Sequence, residues 1–312
     1  MKINAAYKQT KMSVYKKDFL RNKTLYLLAV PVLLYYILFC YKPMYGALIA
    51  FQDFVPRKGI SGSTWVGLDN FIEFWKNPYF SRVFINTLTI SISTLIFSFP
   101  MPIILALLVN EVKNKTYKKI VQTISYLPHF ISLVVICGLI KNFTSDTGIV
   151  SNLISFLSGR DPVTMLNKKE LFVPVYVVSD IWQTTGWGSI IYIAALTGVP
   201  LDIYEAGEID GVNLLQKIFY LTLPCIMPTI IVMLILRIGN MLNVGFEKII
   251  LLYNPAIYDT SDVISTFVYR KGIQERGYSF SAAVGLFNSI INFGLLLAAN
   301  TISKRTNSTS LW

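Results

Sequence analysis

From Thr24 to Tyr41 the chain runs for eighteen residues without a charged side chain. A helix of that length reaches about 27 Å, close to the roughly 30 Å hydrocarbon core of a bilayer. Five more apolar runs follow, at 83–110, 120–140, 171–196, 218–236 and 278–303. Lipid offers no water to satisfy backbone amides, so runs of this kind are read as helices that bond internally. The predicted fold class is all-α: a polytopic membrane protein with six transmembrane helices. Composition agrees, since 54% of the 312 residues are hydrophobic, 14% are charged, and the charges are swept between the apolar runs. The net charge of +11 does not point to nucleic acid, because 7 of the 28 Lys and Arg fall in residues 1–23, where a membrane-flanking tail explains them. Cys40, Cys137 and Cys225 lie inside apolar runs and offer neither a disulfide framework nor a metal-ligand spacing.

Charge distribution orients the spans. The tail 1–23, the loop 111–119, the segment 202–217 and the C-terminal tail 304–312 hold 14 basic residues in short stretches, and the other 14 are spread over longer loops. Lys and Arg density in short loops marks the cytoplasmic side, so both termini are expected inside. No small-residue cleavage site follows the first run, which is therefore read as a retained span. The loop 42–82 carries Trp65, Phe71, Phe74, Trp75, Tyr79 and Phe80, and a short interfacial helix is expected over Asn70–Trp75. Pro100 and Pro102 are expected to kink the second span. The ten apolar residues from Ile249 to Tyr258 are too few to cross and read as an outer lid or interfacial element.

One inner segment breaks the basic pattern. Asp202, Glu205, Glu208 and Asp210 crowd into nine residues, and the first three share roughly one face of a helix starting after Pro200. Like charges so placed repel, and a basic partner reverses the penalty. Asp210-Gly211 supplies a turn in which Gly takes positive φ, so that a second short helix, Leu214 to Tyr220, leaves at an angle. Charge alone also allows an ordinary acidic surface loop.

The spacing goes further. Tyr204-Glu205-Ala206-Gly207, then Gly211, then Leu221-x-Leu223-Pro224 resembles the cytoplasmic EAA motif of ABC importer permeases, with two departures: Gly207 for the second Ala and Leu221 for the usual Ile. The whole length, including Trp65-Val-Gly-Leu-Asp-Asn-Phe71, is similar to the maltose-type carbohydrate permeases, in particular the LplB/YteP type that carries complex oligosaccharides. The resemblance implies a type I ABC importer transmembrane domain whose coupling helix, 202–217, docks on a separate cytoplasmic ABC ATPase dimer. Tyr204, Glu205, Ala206, Gly207, Asp210, Gly211, Leu223 and Pro224 are the coupling candidates. The remaining partners so implied are a second, non-identical permease, an extracellular solute-binding lipoprotein and the oligosaccharide, in a bacterial plasma membrane. The chain has no G-x-x-x-x-G-K-[ST] phosphate loop, so no cofactor is expected in it, and ATP with Mg belongs to the partner ATPase.

Asp180 lies roughly 14 Å into the fourth run, and a carboxylate there costs at least about 2.5–3.5 kcal/mol, so it needs a reason. His129 on the third run comes to similar depth from the other side, and the two are expected to face each other. Either they hold packing or they line a pathway. By resemblance, sugar contacts in the maltose-type branch fall on His129, on Asp180 with Gln183 and Thr184, and on Asn240 with Asn243, at identities that imply a different sugar. Trp182, Trp187 and Tyr192 offer ring faces. Two other functions compete: an ion-coupled transporter with Asp180 and His129 as a proton relay, which needs an inverted repeat that is not found, and an intramembrane enzyme, which needs a nucleophile or metal set that one histidine and three scattered cysteines do not supply.

Overall fold

The computed structural model describes residues 17–307 and 309–312, so the basic residues up to Lys16 lie outside the described part. The chain divides into two units, residues 1–70 and 71–312. In the first, helix α1 runs from Lys23 to Phe51, ten residues beyond the predicted end at Tyr41. It passes through a π-helical segment at Tyr36–Tyr41 and tightens to 3-10 geometry at Tyr45–Phe51. Gln52–Asp53 then pairs antiparallel with Thr64–Trp65. The Asn70 amide donates to the carbonyls of Ala50 at 2.9 Å and Gln52 at 3.1 Å, closing the loop.

Helix α2, Asp69–Lys76, covers the expected short helix. Its aromatics do not all serve an interface: Phe74 is buried among Phe80, Phe280 and Phe287, with ring centroids 4.9, 5.9 and 5.5 Å away, whereas Trp75 is exposed. Helix α3, Phe80–Glu111, carries a π-helical segment at Thr94–Ser98. A proline ring clashes with the carbonyl four residues back, which for Pro100 and Pro102 means Ile96 and Ser98, so the distortion falls one turn before the prolines.

The third run departs most from a straight span. It folds as α4, Lys115–Phe130, and α5, Leu133–Phe143, bent by 100°. Pro128 lacks a donor, Ile131 is extended, and the Ser132 hydroxyl caps α5 by accepting from the Val135 amide. The stretch between the third and fourth apolar runs contains a further helix, α6, Ile149–Ser158, which ends on Gly159 at φ 65°. Helix α7, Lys169–Thr197, is followed by α8, Leu201–Ile209, turned by 75°. Helix α9, Leu214–Gly239, begins where a separate short helix was expected, so that stretch is the foot of the fifth helix. Then come α10, Phe246–Leu252, α11, Ile264–Tyr269, and α12, Tyr278–Asn307. Among the described residues four helices are long and apolar enough to cross a membrane, and six when each bent pair counts as one span.

The stretch expected as an outer lid is core instead. Ile249, Leu252 and Ile257 are buried with Ile136, Phe172 and Val175, because a stretch too short to cross still hides its apolar side chains when it folds back on the bundle. A charged lock holds the segment that follows. The carboxylate of Asp262, fully buried, takes Arg270 at 2.6 Å and Arg82 at 3.3 Å, and the Asn86 amide donates to the Asp262 carbonyl at 2.9 Å. Removing one partner of such a set typically costs about 3–5 kcal/mol.

Candidate functional site

Helix α7 sits at the centre because two of its glycines admit neighbours. A Cβ on Gly186 would lie 2.0 Å from the Ser125 carbonyl oxygen of α4, and one on Gly188 would lie 3.0 Å from the Pro102 ring of α3. At 186 only glycine permits so close an approach, and at 188 a Cβ would press on the proline ring. Between them Trp187 projects to His129 at the end of α4, and the two rings stack with centroids 4.6 Å apart and planes 2° from parallel. About two turns earlier, Asp180 accepts a hydrogen bond from the Ser98 hydroxyl at 2.6 Å. The Thr184 hydroxyl turns back to the Asp180 carbonyl at 2.8 Å.

Three cavities share Asp180 as a wall. One of about 410 Å³ is lined by His129, Thr184, Trp187, Tyr192, Arg237 and Asn240, among others. A second, of about 210 Å³, adds Ser91, Thr94 and Asn243 and shares Arg237 and Asn240 with the first. A third, of about 520 Å³, shares Tyr176 and Asn243 with the second and reaches Glu247 and Lys248. Hydroxyls, amides, an indole and both signs of charge face this track.

His129 and Asp180 both line the first cavity, each with its own partner. Thr184, Asn240 and Asn243 also line the track. The asparagines are tied together, the Asn243 amide donating to Asn240 Oδ1 at 3.4 Å and the Asn288 amide to Asn243 Oδ1 at 2.9 Å. Gln183 is not among the lining residues, and its Oε1 accepts from Lys248 Nζ at 3.3 Å. Sequence reasoning assigned no role to Arg237, Ser98, Tyr176 or Lys248. Arg237 stands three before Asn240 and Tyr176 four before Asp180, the i,i+3 and i,i+4 relations that place side chains on one helix face. No such signal exists for Lys248, which the short helix α10 delivers. Burial pushes its ammonium below the ordinary lysine range, with Asp180 opposing.

The acidic knuckle has equally specific geometry. Helix α8 ends in a Schellman motif: the Val212 amide donates to the Gly207 carbonyl at 3.1 Å and the Gly211 amide to the Glu208 carbonyl at 3.2 Å. Gly211 holds φ at 72°, where a Cβ is strained. Asn213 and Gln216 then form a reciprocal capping box that starts α9. Asp202, Glu205, Glu208 and Asp210 are all exposed, whereas Gly207 is buried. Lys217 ties the knuckle to the bundle: its Nζ lies 2.9 Å from the Glu111 carboxylate at the end of α3 and 5.0 Å over the Tyr204 ring. Leu223 and Pro224 open the regular α-helical part of α9.

Residues 98–308 match the family of binding-protein-dependent transport system inner membrane components. Protein LplB of Bacillus subtilis (strain 168) is 44% identical over 293 residues, covering 94% of this chain and 92% of that protein. The polygalacturonan/rhamnogalacturonan transport system permease protein YteP of the same organism is 41% identical over 287 residues, covering 92% and 89%. Among solved structures, a chain of a bacterial alginate ABC transporter in complex with alginate pentasaccharide-bound periplasmic protein superposes with a TM-score of 0.86 at 43% identity, over 95% of this chain and 99% of that one. A chain from a bacterial ABC transporter involved in the import of the acidic polysaccharide alginate gives 0.85 at 44% identity, over 94% and 99%.

Proposed function

This chain belongs to the binding-protein-dependent transport system inner membrane components, and from that membership we propose that it is one half of the membrane pathway of an ATP-driven importer for an acidic oligosaccharide. The observation that carries the reading is the track of three cavities meeting at Asp180. A sugar presents hydroxyls that both donate and accept, and apolar ring faces; amides, hydroxyls and a Trp ring answer those needs. Arg237 lines two of the cavities and forms no ion pair among the described residues, which suits a carboxylate held bidentately. The relatives named for polygalacturonan and alginate support the same class of substrate.

The exposed carboxylates of α8 are the surface on which a cytoplasmic ATPase dimer docks, with ATP and Mg bound on that partner. A second, different permease completes the pathway, an extracellular binding lipoprotein delivers the sugar, and both termini lie inside. Coupling follows from how the knuckle is tied. Displacing α8 moves α9 through the 210–213 turn and α3 through Lys217 and Glu111. Those two helices bring Arg237, Asn240 and Ser98 to the track, so a push at the knuckle changes the walls of the pathway. The competing proton relay draws no support from the geometry, since Asp180 is bonded to Ser98 and His129 is stacked on Trp187. The test is uptake of labelled oligouronates by vesicles holding the assembled transporter: ATP-dependent accumulation is expected, and accumulation without any ATPase subunit present would overturn the reading.

A further inference from the structure

Lys248 is only 4% exposed, yet its ammonium meets a single acceptor, Gln183 Oε1 at 3.3 Å, and the face of Tyr176 at 5.1 Å. Among the described residues it forms no ion pair. A buried ammonium with three donors and one neutral acceptor is costly, and a Met of similar reach would fill the space without that cost. The side chain lines the 520 Å³ cavity together with Asp180 and Asn243. Arg237, the other cation on the track, lines the two cavities on which Lys248 does not border.

We propose that Lys248 and Arg237 are two successive carboxylate stations, one on each side of Asp180, that select oligosaccharides bearing a carboxylate on neighbouring sugars. The inference rests on the importer reading above and names the residue that sets its specificity. Lys248 receives a carboxylate in the larger cavity and Arg237 receives one in the cavities beyond. Asp180, standing in the wall common to all three, repels both and keeps either station from holding the sugar too tightly to release. Conduction through a chain of sites needs this balance of capture and release.

The experiment uses the full transporter in vesicles, with tetra-galacturonate and tetra-mannuronate as probes against their neutral methyl esters. In K248M, uptake of the acids is expected to fall about tenfold, the loss of one charge-assisted hydrogen bond, with ester uptake unchanged; K248R is expected to keep the preference for acids. An unchanged ratio of acid to ester uptake in K248M overturns the assignment. Equal loss of both probes in K248M and K248R makes Lys248 a packing residue and overturns it too. Failure of the wild-type transporter to carry either form overturns the importer reading itself, an outcome visible before any variant is made.

Discussion

Gly207 and Leu221 touch across the knuckle: a Cβ on Gly207 would stand 2.5 Å from Leu221 Cδ1 and 3.1 Å from Val212 Cγ2. These are the two positions at which the sequence departs from the EAA pattern, so the departures form one contact in which the δ-methyl of a γ-branched residue on α9 reaches into the room left by a smaller residue on α8. Introducing Ala at 207 overpacks the joint. Because the clashing atoms are terminal methyls, the expected cost is about 1 kcal/mol, at the low end for overpacking. Thermal unfolding of purified G207A should show the loss, and G207A combined with L221I should recover part of it; strictly additive effects would count against the contact.

Glu205 is exposed on α8, so reversing its charge leaves the bundle intact and, under the docking proposed above, acts on the partner. E205K is expected to abolish uptake and to weaken retention of the ATPase on an affinity-tagged permease, with membrane yield unchanged. Wild-type retention would show that the carboxylate is not a docking group.

Asp180 keeps its bond from Ser98 when replaced by Asn, because the amide oxygen still accepts. What disappears is the negative charge in the shared wall. D180N is therefore expected to lower the apparent KM for an oligouronate several-fold and to slow its turnover, with little change for the methyl ester. Equal loss of transport and of protein yield would make Asp180 a packing group.

The charge on Lys248 can be titrated. Burial, opposed by Asp180 and by the thiol of Cys137, sets its pKa below the ordinary 10.5, and Glu247 faces the same cavity. The charged form is present below the lowered pKa and lost as pH rises through it, so preference for acids over esters should decline at a pH below that of a free lysine. In K248R the guanidinium stays charged and the decline should vanish. The sign for stability is opposite: the folded chain holds fewer protons than the unfolded chain between the two pKa values, so stability rises with pH across that window.

The α-helical class, the apolar runs, the acidic segment with its turn at Gly211, and the polar residues of α7 were all legible in the sequence. Each rests on a local rule: run length, charge placement, or the conformational freedom of one glycine. Harder to read were features that depend on what lies across the bundle. The 100° break between α4 and α5 follows from Pro128 and Ser132 acting together with packing on α7. The burial of Ile249 and Ile257 depends on the partner surface that Ile136 and Phe172 supply.

The sequence by itself determined that this chain is built of apolar helices long enough to enter a membrane and that a carboxylate-rich elbow stands between two of them, because the cost of placing charge and unpaired backbone in lipid is set residue by residue. Only the tertiary structure decided that Asp180, Arg237 and Lys248 share one track and that Lys217 clasps Glu111. Asp180 stands 57 and 68 positions from Arg237 and Lys248, and Glu111 stands 106 from Lys217, and no local pattern records which faces of distant helices will meet.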